Sequence, residues 1–497
     1  MKPRLSPALL EALPAAVARP QYARGPENAA GIVHLGIGAF HRAHQSAYFD
    51  ALMALGEPGW MIRAASLRAP AAAAQLNPQQ GLYTLVQRDG AAARLQVIGA
   101  LRDVLVAPTD PAALVAALAR PEVALVTLTV TEKGYGLDPA AGELNTDDPA
   151  IAADLASLAH PRSTPGFLAA GLAARRAAGL PPFTVLSCDN LPNNGVRTRA
   201  AVVAMAARHN RALADWIAFC GAFPSSMVDR IVPATTATDV SDLAETAGYD
   251  DPGMVKTESF SQWVVEDAFC ARRPGLERVG VQFTRDVTAW EHAKLRLLNG
   301  AHSALAYLGG LAGHAYVHEA VAAPGFAGYL ETLWDEAAST LGPLDGFDPH
   351  AYRAALRARF ANAALAHRTA QIAMDGSQKL PQRLLASIRA RLGRGQASPA
   401  LTLAVAGWMR WQSGADEQGE AFTVEDPLAA RTAAALRAAG PDAEARVAAL
   451  LAIPEVFGAD LAQAPRLRAA LADALGRLDR QGAARTVLAF HPEEAPA

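Results

Sequence analysis

The sequence predicts an α/β domain over residues 1–287 followed by a mainly α-helical domain over 288–497, and three observations carry this. In the first part, short apolar runs of strand length alternate with segments of helical period. In the second, long Ala/Leu/Arg segments of helical period dominate. A chain of 497 residues also exceeds what one hydrophobic core of ordinary size serves, so two large domains are expected.

Residues 31–35 read as the first strand and run straight into Gly36-Ile37-Gly38-Ala39-Phe40, a glycine turn that opens a helix. Strand, glycine turn and helix start together form the context in which a dinucleotide's pyrophosphate rests on backbone amides. His41 stands where GxGxxG would place its third glycine, so the fingerprint is half complete and an ordinary strand-to-helix turn explains it equally well. Residues 60–67 read as the next parallel strand and lead into Arg68. A carboxylate at that place commonly holds the ribose diol of NAD, whereas an arginine nearby receives the 2′-phosphate of NADP. Arg68 is compatible with either, and with a plain surface arginine.

Residues 82–89 and 94–101 alternate like a hairpin, 110–119 have helical period, and 123–130 read as a buried strand. That strand delivers Thr131-Glu132-Lys133-Gly134, and residues at the carboxyl end of a parallel strand face the ligand crevice. A further strand, 183–188, ends in Asp189-Asn190 and a turn-forming Leu-Pro-Asn-Asn-Gly; Asn190 could there meet a carbonyl oxygen. Residues 223–233 form another apolar run that contains Asp229 and Arg230, whose plain reading is a surface ion pair of little weight.

Beyond residue 288 helices are expected at 326–340, 350–359, 382–392, 400–412, 427–438 and 466–481, with a turn-rich loop at 374–381 that carries Lys379. The stretch 290–307 is the most informative of all. At about 100° per residue, Lys294, Glu291, His302 and Asn299 fall at about 0°, 60°, 80° and 140°, an arc that they share with Leu295, Leu298 and Leu305. A lysine on an apolar face is disfavoured as a cation, which suits it to accept a proton near neutral pH. Taken singly, each is more commonly a snorkelling lysine or a satisfied core histidine. Their convergence on one arc favours a catalytic base.

Composition narrows the partners. A formal charge of −3 with no basic run argues against nucleic acid, and no stretch reaches the ~18 uninterrupted apolar residues of a membrane span. The first twenty residues are broken by prolines and carry Glu11, unlike a signal peptide. Cys188, Cys220 and Cys270 are scattered and odd in number, against a disulfide framework or a thiolate zinc site. A cytoplasmic, metal-independent protein acting on small molecules is expected.

The segments IVHLGIGAFHRAHQ, TVTEKGYG, SCDNLPNNG, FPSSMVDRIVP, KLRLLNGAHSALAYLG, QIAMDGSQKLPQR and AGWMRWQSGADEQGE occur in this order over nearly the whole chain. Together they resemble the long-chain polyol dehydrogenases and reductases, the mannitol dehydrogenase family. The resemblance implies a Rossmann-type N-terminal domain that binds NAD, NADP not being excluded, and a helical domain that supplies the catalytic residues. It implies Lys294 as general acid/base, Asn190 and Asn299 as amides holding the reacting oxygen, and His302 as the residue that orients it. Asp229 and Lys379 match substrate-binding positions, and Glu291 a position linked to proton passage. Gly36, Ile37, Gly38, Ala39, Phe40, Arg68, Thr131 and Glu132 are the expected cofactor contacts. A monomer is implied.

The substrate is expected to be a sugar acid or a polyol. Mannitol 2-dehydrogenases carry an arginine eight positions before the loop lysine, where this chain has Gln371. That difference, with Thr131-Glu132-Lys133-Gly134, is similar to the fructuronate reductase branch, whose carboxylated substrate wants a cation; Lys379, Arg368 or Lys133 could supply it. SCDNLPNNG and VQFT lean toward the mannitol branch instead. A cofactor-binding regulator without activity is a third reading, opposed by intact Lys294, Asn299, His302 and Asn190.

Overall fold

The structure, a computed structural model, describes residues 2–491 apart from 27, 91, 139–141 and 344–346, and apart from the Glu132 side chain, so the cofactor contact expected of that side chain lies outside the described residues. The chain forms two compact units, Met1–Thr288 and Ala289–Ala497. Among the described residues, no helix is long and apolar enough to cross a membrane.

The strands of the first unit are β1 (Val17–Ala18), β2 (Ile32–Leu35), β3 (Ile62–Ser66), β4 (Tyr83–Asp89), β5 (Ala92–Ile98), β6 (Leu101–Val106), β7 (Leu125–Leu128), β8 (Thr184–Ser187), β9 (Ser226–Asp229), β10 (Val255–Glu258), β11 (Gln262–Glu266) and β12 (Gln282–Thr284). Five of them make a parallel sheet in the order β6-β3-β2-β7-β8. Successive side chains alternate between its faces. Ile32, Leu125 and Leu186 join Phe49, Leu52 and Trp263 in one core, while Val33, Val126 and Val185 join Leu114, Phe167, Met205 and Ile217 in the other. Both faces are covered, which is why these strands read as continuous apolar runs rather than alternating ones. From β2 the chain proceeds to β3 and β6 on one side and then to β7 and β8 on the other. The crevice at this reversal lies beyond the carboxyl ends of β2 and β7, where Gly36 and Thr131 sit.

Two smaller sheets complete the unit. β4 and β5 form the expected antiparallel hairpin within the order β1-β5-β4-β10. The apolar run at 223–233 yields only β9, antiparallel to β11, in the order β12-β11-β9.

The second unit is helical around one core, with Pro399–Trp411 almost wholly buried. Two expectations fail here. The stretch 290–307 is not one regular α-helix: it passes from α (Thr288–Ala293) to π (Lys294–Asn299), back to α (Gly300–Ala304) and again to π (Leu305–Gly309). A wheel of 100° per residue therefore misplaces Asn299 and His302 relative to Lys294. The expected loop at 374–381 is instead a helix, Gly376–Leu380, which runs into a π segment, Pro381–Leu385. Turn residues misled the reading because Asp375, at φ 54°, is the only left-handed step between two helical pieces, Thr369–Ala373 and Gly376–Leu380.

Candidate active site

In the first unit the chemistry gathers at the strand ends beside the crevice. Gly36 has φ +96°, and a Cβ on it would stand 2.2 Å from the Thr129 carbonyl oxygen, so only glycine fits. Gly38 differs. A Cβ there would meet nothing closer than the Gly36 oxygen at 3.8 Å, so the protein itself does not require glycine. The bare face it leaves, at the start of helix Ala39–Ala43, is what backbone amides need to approach a pyrophosphate, and the turn fits the expected dinucleotide. Ile37 is buried beneath the turn.

Two histidines stiffen this turn. His34 places Nδ1 2.8 Å from Thr127 Oγ1 and Nε2 3.0 Å from Thr129 Oγ1, while Thr129 donates its hydroxyl to the Gly36 carbonyl at 2.8 Å. The Thr129 proton being so engaged, His34 Nε2 is the donor and Nδ1 the acceptor. Burial pushes its pKa down to about 3, so the ring is neutral. His41, at the position of the missing third glycine, stacks on His34 with centroids 3.3 Å apart. Phe40 stacks in turn on His44 at 5.0 Å. Arg68 follows the end of β3 and is exposed.

Thr131, at the end of β7, adopts φ 65° and ψ 166°, a region almost reserved for glycine. Asp189, which the sequence reading passed over, holds it there. Its carboxylate accepts from Thr131 N at 2.8 Å, from Val130 N at 3.1 Å and from the Tyr135 hydroxyl at 2.6 Å. Burial, and after it the Asp189 carboxylate, drives the Tyr135 pKa well above its ordinary value. Tyr135 also bonds Ser187. The only sequence signal was an acid at a strand end. Asn194 is similarly structural: its amide donates to Asp189 O at 3.0 Å and Ser226 O at 2.8 Å, joining the ends of β8 and β9. Asn190 follows Asp189 and is exposed in this unit.

Asp229 and Arg230 are not a surface pair. Both are buried; Arg230 donates to the carbonyls of Ala43 and Glu258, and burial lowers its pKa to about 10. The pair expected at the surface is buried: Asp229 ends β9, paired along β11, and Arg230 reaches the Ala43 carbonyl at the end of helix Ala39–Ala43.

In the second unit Glu291, Lys294, Asn299 and His302 are all buried, at 6–8% exposure. Asn299 Nδ2 and His302 Nε2 have no hydrogen-bond partner among the described residues. Two polar atoms so placed are a cost unless something binds there. His302 packs on Phe360 and edge-on against His367, centroids 4.6 Å and 5.2 Å away. Burial, with neighbouring positive charge, holds its pKa well below the usual value, so it is neutral. The Trp334 indole donates to the Leu297 carbonyl at 3.0 Å within the π segment, a geometry that recurs at functional sites. Lys379 is half-buried and donates to the carbonyls of Met374 and Ile372. Arg368 is exposed, with its guanidinium 5.7 Å from the Tyr316 ring centroid, and Gln371 is exposed.

Family models agree with these two groupings. The mannitol dehydrogenase Rossmann domain matches residues 30–278 and the mannitol dehydrogenase C-terminal domain residues 286–479. The chain is 45% identical over 479 residues to "Uncharacterized oxidoreductase YeiQ" of Escherichia coli, covering 96% of this chain and 97% of that protein. It is 42% identical to D-mannonate oxidoreductase of the same organism, over 92% of this chain and 95% of that one. Among solved structures it is similar to the Pseudomonas fluorescens mannitol 2-dehydrogenase ternary complex with NAD and D-mannitol: 40% identity, TM-score 0.87, 97% and 98% of the two chains.

Proposed function

The chain belongs to the mannitol dehydrogenase family, NAD-dependent oxidoreductases acting on CH–OH groups, and we propose that its own reaction is the interconversion of D-mannonate and D-fructuronate with Lys294 as general acid/base. One observation carries the reading: a buried lysine shares a helical stretch with two buried polar atoms, Asn299 Nδ2 and His302 Nε2, that have no hydrogen-bond partner among the described residues. Such a set suits an oxygen that gains charge as its proton leaves.

In oxidation, neutral Lys294 takes the hydroxyl proton; in reduction, its ammonium returns it. Asn299 holds the reacting oxygen, as does Asn190 in the same proposal, and neutral His302 orients it by its N–H. Glu291 passes the proton between Lys294 and solvent. Asp229, Lys379, Arg368 and Gln371 bind the remainder of the substrate. Gly36, Ile37, Gly38, Ala39, Phe40 and Thr131 hold the dinucleotide, with Arg68 at its ribose; Glu132 belongs to this set by resemblance. Bound there, the nicotinamide supplies the hydride acceptor or donor.

Identity does not separate the branches, since mannitol 2-dehydrogenases are 39–42% identical to this chain. Gln371, where those enzymes are expected to carry arginine, supports the sugar acid. The test is loss of reduced-nicotinamide absorbance with NADH or NADPH against D-fructuronate, D-tagaturonate, D-fructose and D-xylulose. D-fructuronate should give the highest kcat/KM. A ketose turned over faster than either keto-uronate would assign the polyol reaction, and inactivity on all four would favour a non-catalytic cofactor binder.

A further inference from the structure

We propose that His367 is a further substrate-binding residue, whose Nδ1 hydrogen-bonds the hydroxyl on a carbon next to the reacting carbon. The inference rests on the reading above in one respect, that the reacting oxygen lies at His302, and it holds for a sugar acid and a polyol alike.

The backbone aims this side chain. Ala366, the residue before it, stands at φ 44° in the left-handed region, which a residue with a Cβ keeps only when its surroundings hold it there. The hold comes from residues 314–317. The His367 carbonyl accepts from Val317 N at 3.0 Å, Thr369 N donates to the Ala315 carbonyl at 3.0 Å, and the Thr369 hydroxyl donates to the His314 carbonyl at 2.9 Å. Tyr316 and Arg368 form a bridge between the two segments. Strained backbone tied down in this way collects at sites where a side chain must be presented to a ligand.

What is presented is a nitrogen. His367 Nδ1 is buried without a hydrogen-bond partner among the described residues, and so is His302 Nε2. Yet the two rings touch, edge-on with centroids 5.2 Å apart, while Phe360 packs on His302 at 4.6 Å. Two imidazoles in contact thus each hold back one buried nitrogen, a cost that a bound polar group offsets.

Burial lowers the His367 pKa to about 4, so the ring is neutral and Nδ1 is a donor or an acceptor according to the tautomer. A hydroxyl answers either, since it both donates and accepts. A carboxylate only accepts, and draws its strong hydrogen bonds from cations. Connectivity selects the same group. In D-fructuronate and D-fructose alike, both carbons next to the carbonyl carry hydroxyls, whereas the carboxylate of the former stands at the far end of the chain. With the reacting oxygen at His302, the adjoining imidazole meets the next oxygen along the carbon chain.

The test compares the wild-type full chain with His367→Phe and His367→Asn, using NADH and three substrates: D-fructuronate and the two deoxy analogues that each lack one hydroxyl flanking the carbonyl. Phenylalanine keeps a ring and removes the nitrogen, while asparagine sets an amide about where Nδ1 stood. In the wild type, one analogue should show kcat/KM about thirtyfold below the parent. His367→Phe should lower kcat/KM for the parent about thirtyfold and change it for that analogue less than about threefold, the scale of one buried hydrogen bond whose partner is left unpaired. His367→Asn should fall between on the parent. The Kd of NADH should stay within about twofold in both variants. Should His367→Phe not fold, His367→Leu takes its place with the same expectation. An equal fall on all three substrates, or no change on any, would overturn the contact while leaving the role of Lys294 and the sugar-acid reading intact. A wild type that prefers D-fructose overturns the sugar-acid reading alone, and the deoxy analogues of D-fructose then test His367 in the same way. Inactivity of the wild type on both parents would overturn the contact and the reaction together.

Discussion

Asp189→Asn is a sharp test of how the crevice is held. The carboxylate accepts from Val130 N and Tyr135 Oη on one oxygen and from Thr131 N on the other. Asparagine retains one acceptor oxygen and sets an NH₂ where the second stood. Tyr135 can turn its hydroxyl to Ser187 and accept from that NH₂, but the Val130 N–H then faces another donor. Leaving a buried backbone donor unsatisfied costs about 1–3 kcal/mol, and the Thr131 bond loses its charge assistance, about 1 kcal/mol more. The total, about 2–4 kcal/mol, should lower the Tm of the unit Met1–Thr288 by about 3–7 °C. Thr131, no longer held at φ 65°, should relax by a strain of about 1–3 kcal/mol, raising the NADH Kd about tenfold. Differential scanning fluorimetry and NADH fluorescence titration read both quantities. Thr131→Gly in the same background should recover part of the affinity, because glycine adopts that conformation without strain. If Asp189→Asn leaves Tm and Kd at wild-type values, the carboxylate does not hold this turn and the reasoning fails.

Further outcomes are expected elsewhere. Lys294→Ala should abolish turnover and leave NADH binding within about twofold; in the wild type, alcohol oxidation should rise with pH as Lys294 becomes neutral, and a flat profile of the chemical step would count against its role. Gly38→Ala should keep the wild-type Tm and lose NADH affinity, while Gly36→Ala should fail to fold stably, since its Cβ would overlap the Thr129 carbonyl; equal behaviour of the two in a thermal melt would contradict the assignment of the free face at Gly38. Glu336, buried and accepting from Ala400 N and Leu401 N at 2.9 Å, has its pKa raised by burial from 4.5 to about 7. A raised carboxyl contributes stability that is full below pH 4.5 and lost as pH rises through 7. Glu336→Gln should therefore gain about 3 kcal/mol on the wild type between pH 4.5 and 8 in urea unfolding, and a pH-independent difference would refute it.

Much of this was legible in local chemistry. The strands β2, β3, β7 and β8 appear as apolar runs because both faces of their sheet are covered, and that requirement acts on every residue of the strand. Gly36 was legible because a glycine at a strand end is a backbone requirement that neighbours cannot disguise, and Gly38 because it stands where a dinucleotide turn places its second glycine. Lys294, Asn299 and His302 stood out because three polar residues were set among leucines and alanines. What could not be read were features that depend on groups arriving from far along the chain. The π segment Lys294–Asn299 gives its Leu297 carbonyl to the distant Trp334 indole, Thr131 is held by a carboxylate 58 residues away, and Asp229 is buried on β9, whose ladder partner is β11. Local propensity announces strands, turns and odd polar residues, since each is set by its own neighbours. The pairing of a strained backbone with its carboxylate, and of His302 with Phe360 and His367, depends on which distant segments pack together, and that is a property of the folded chain alone.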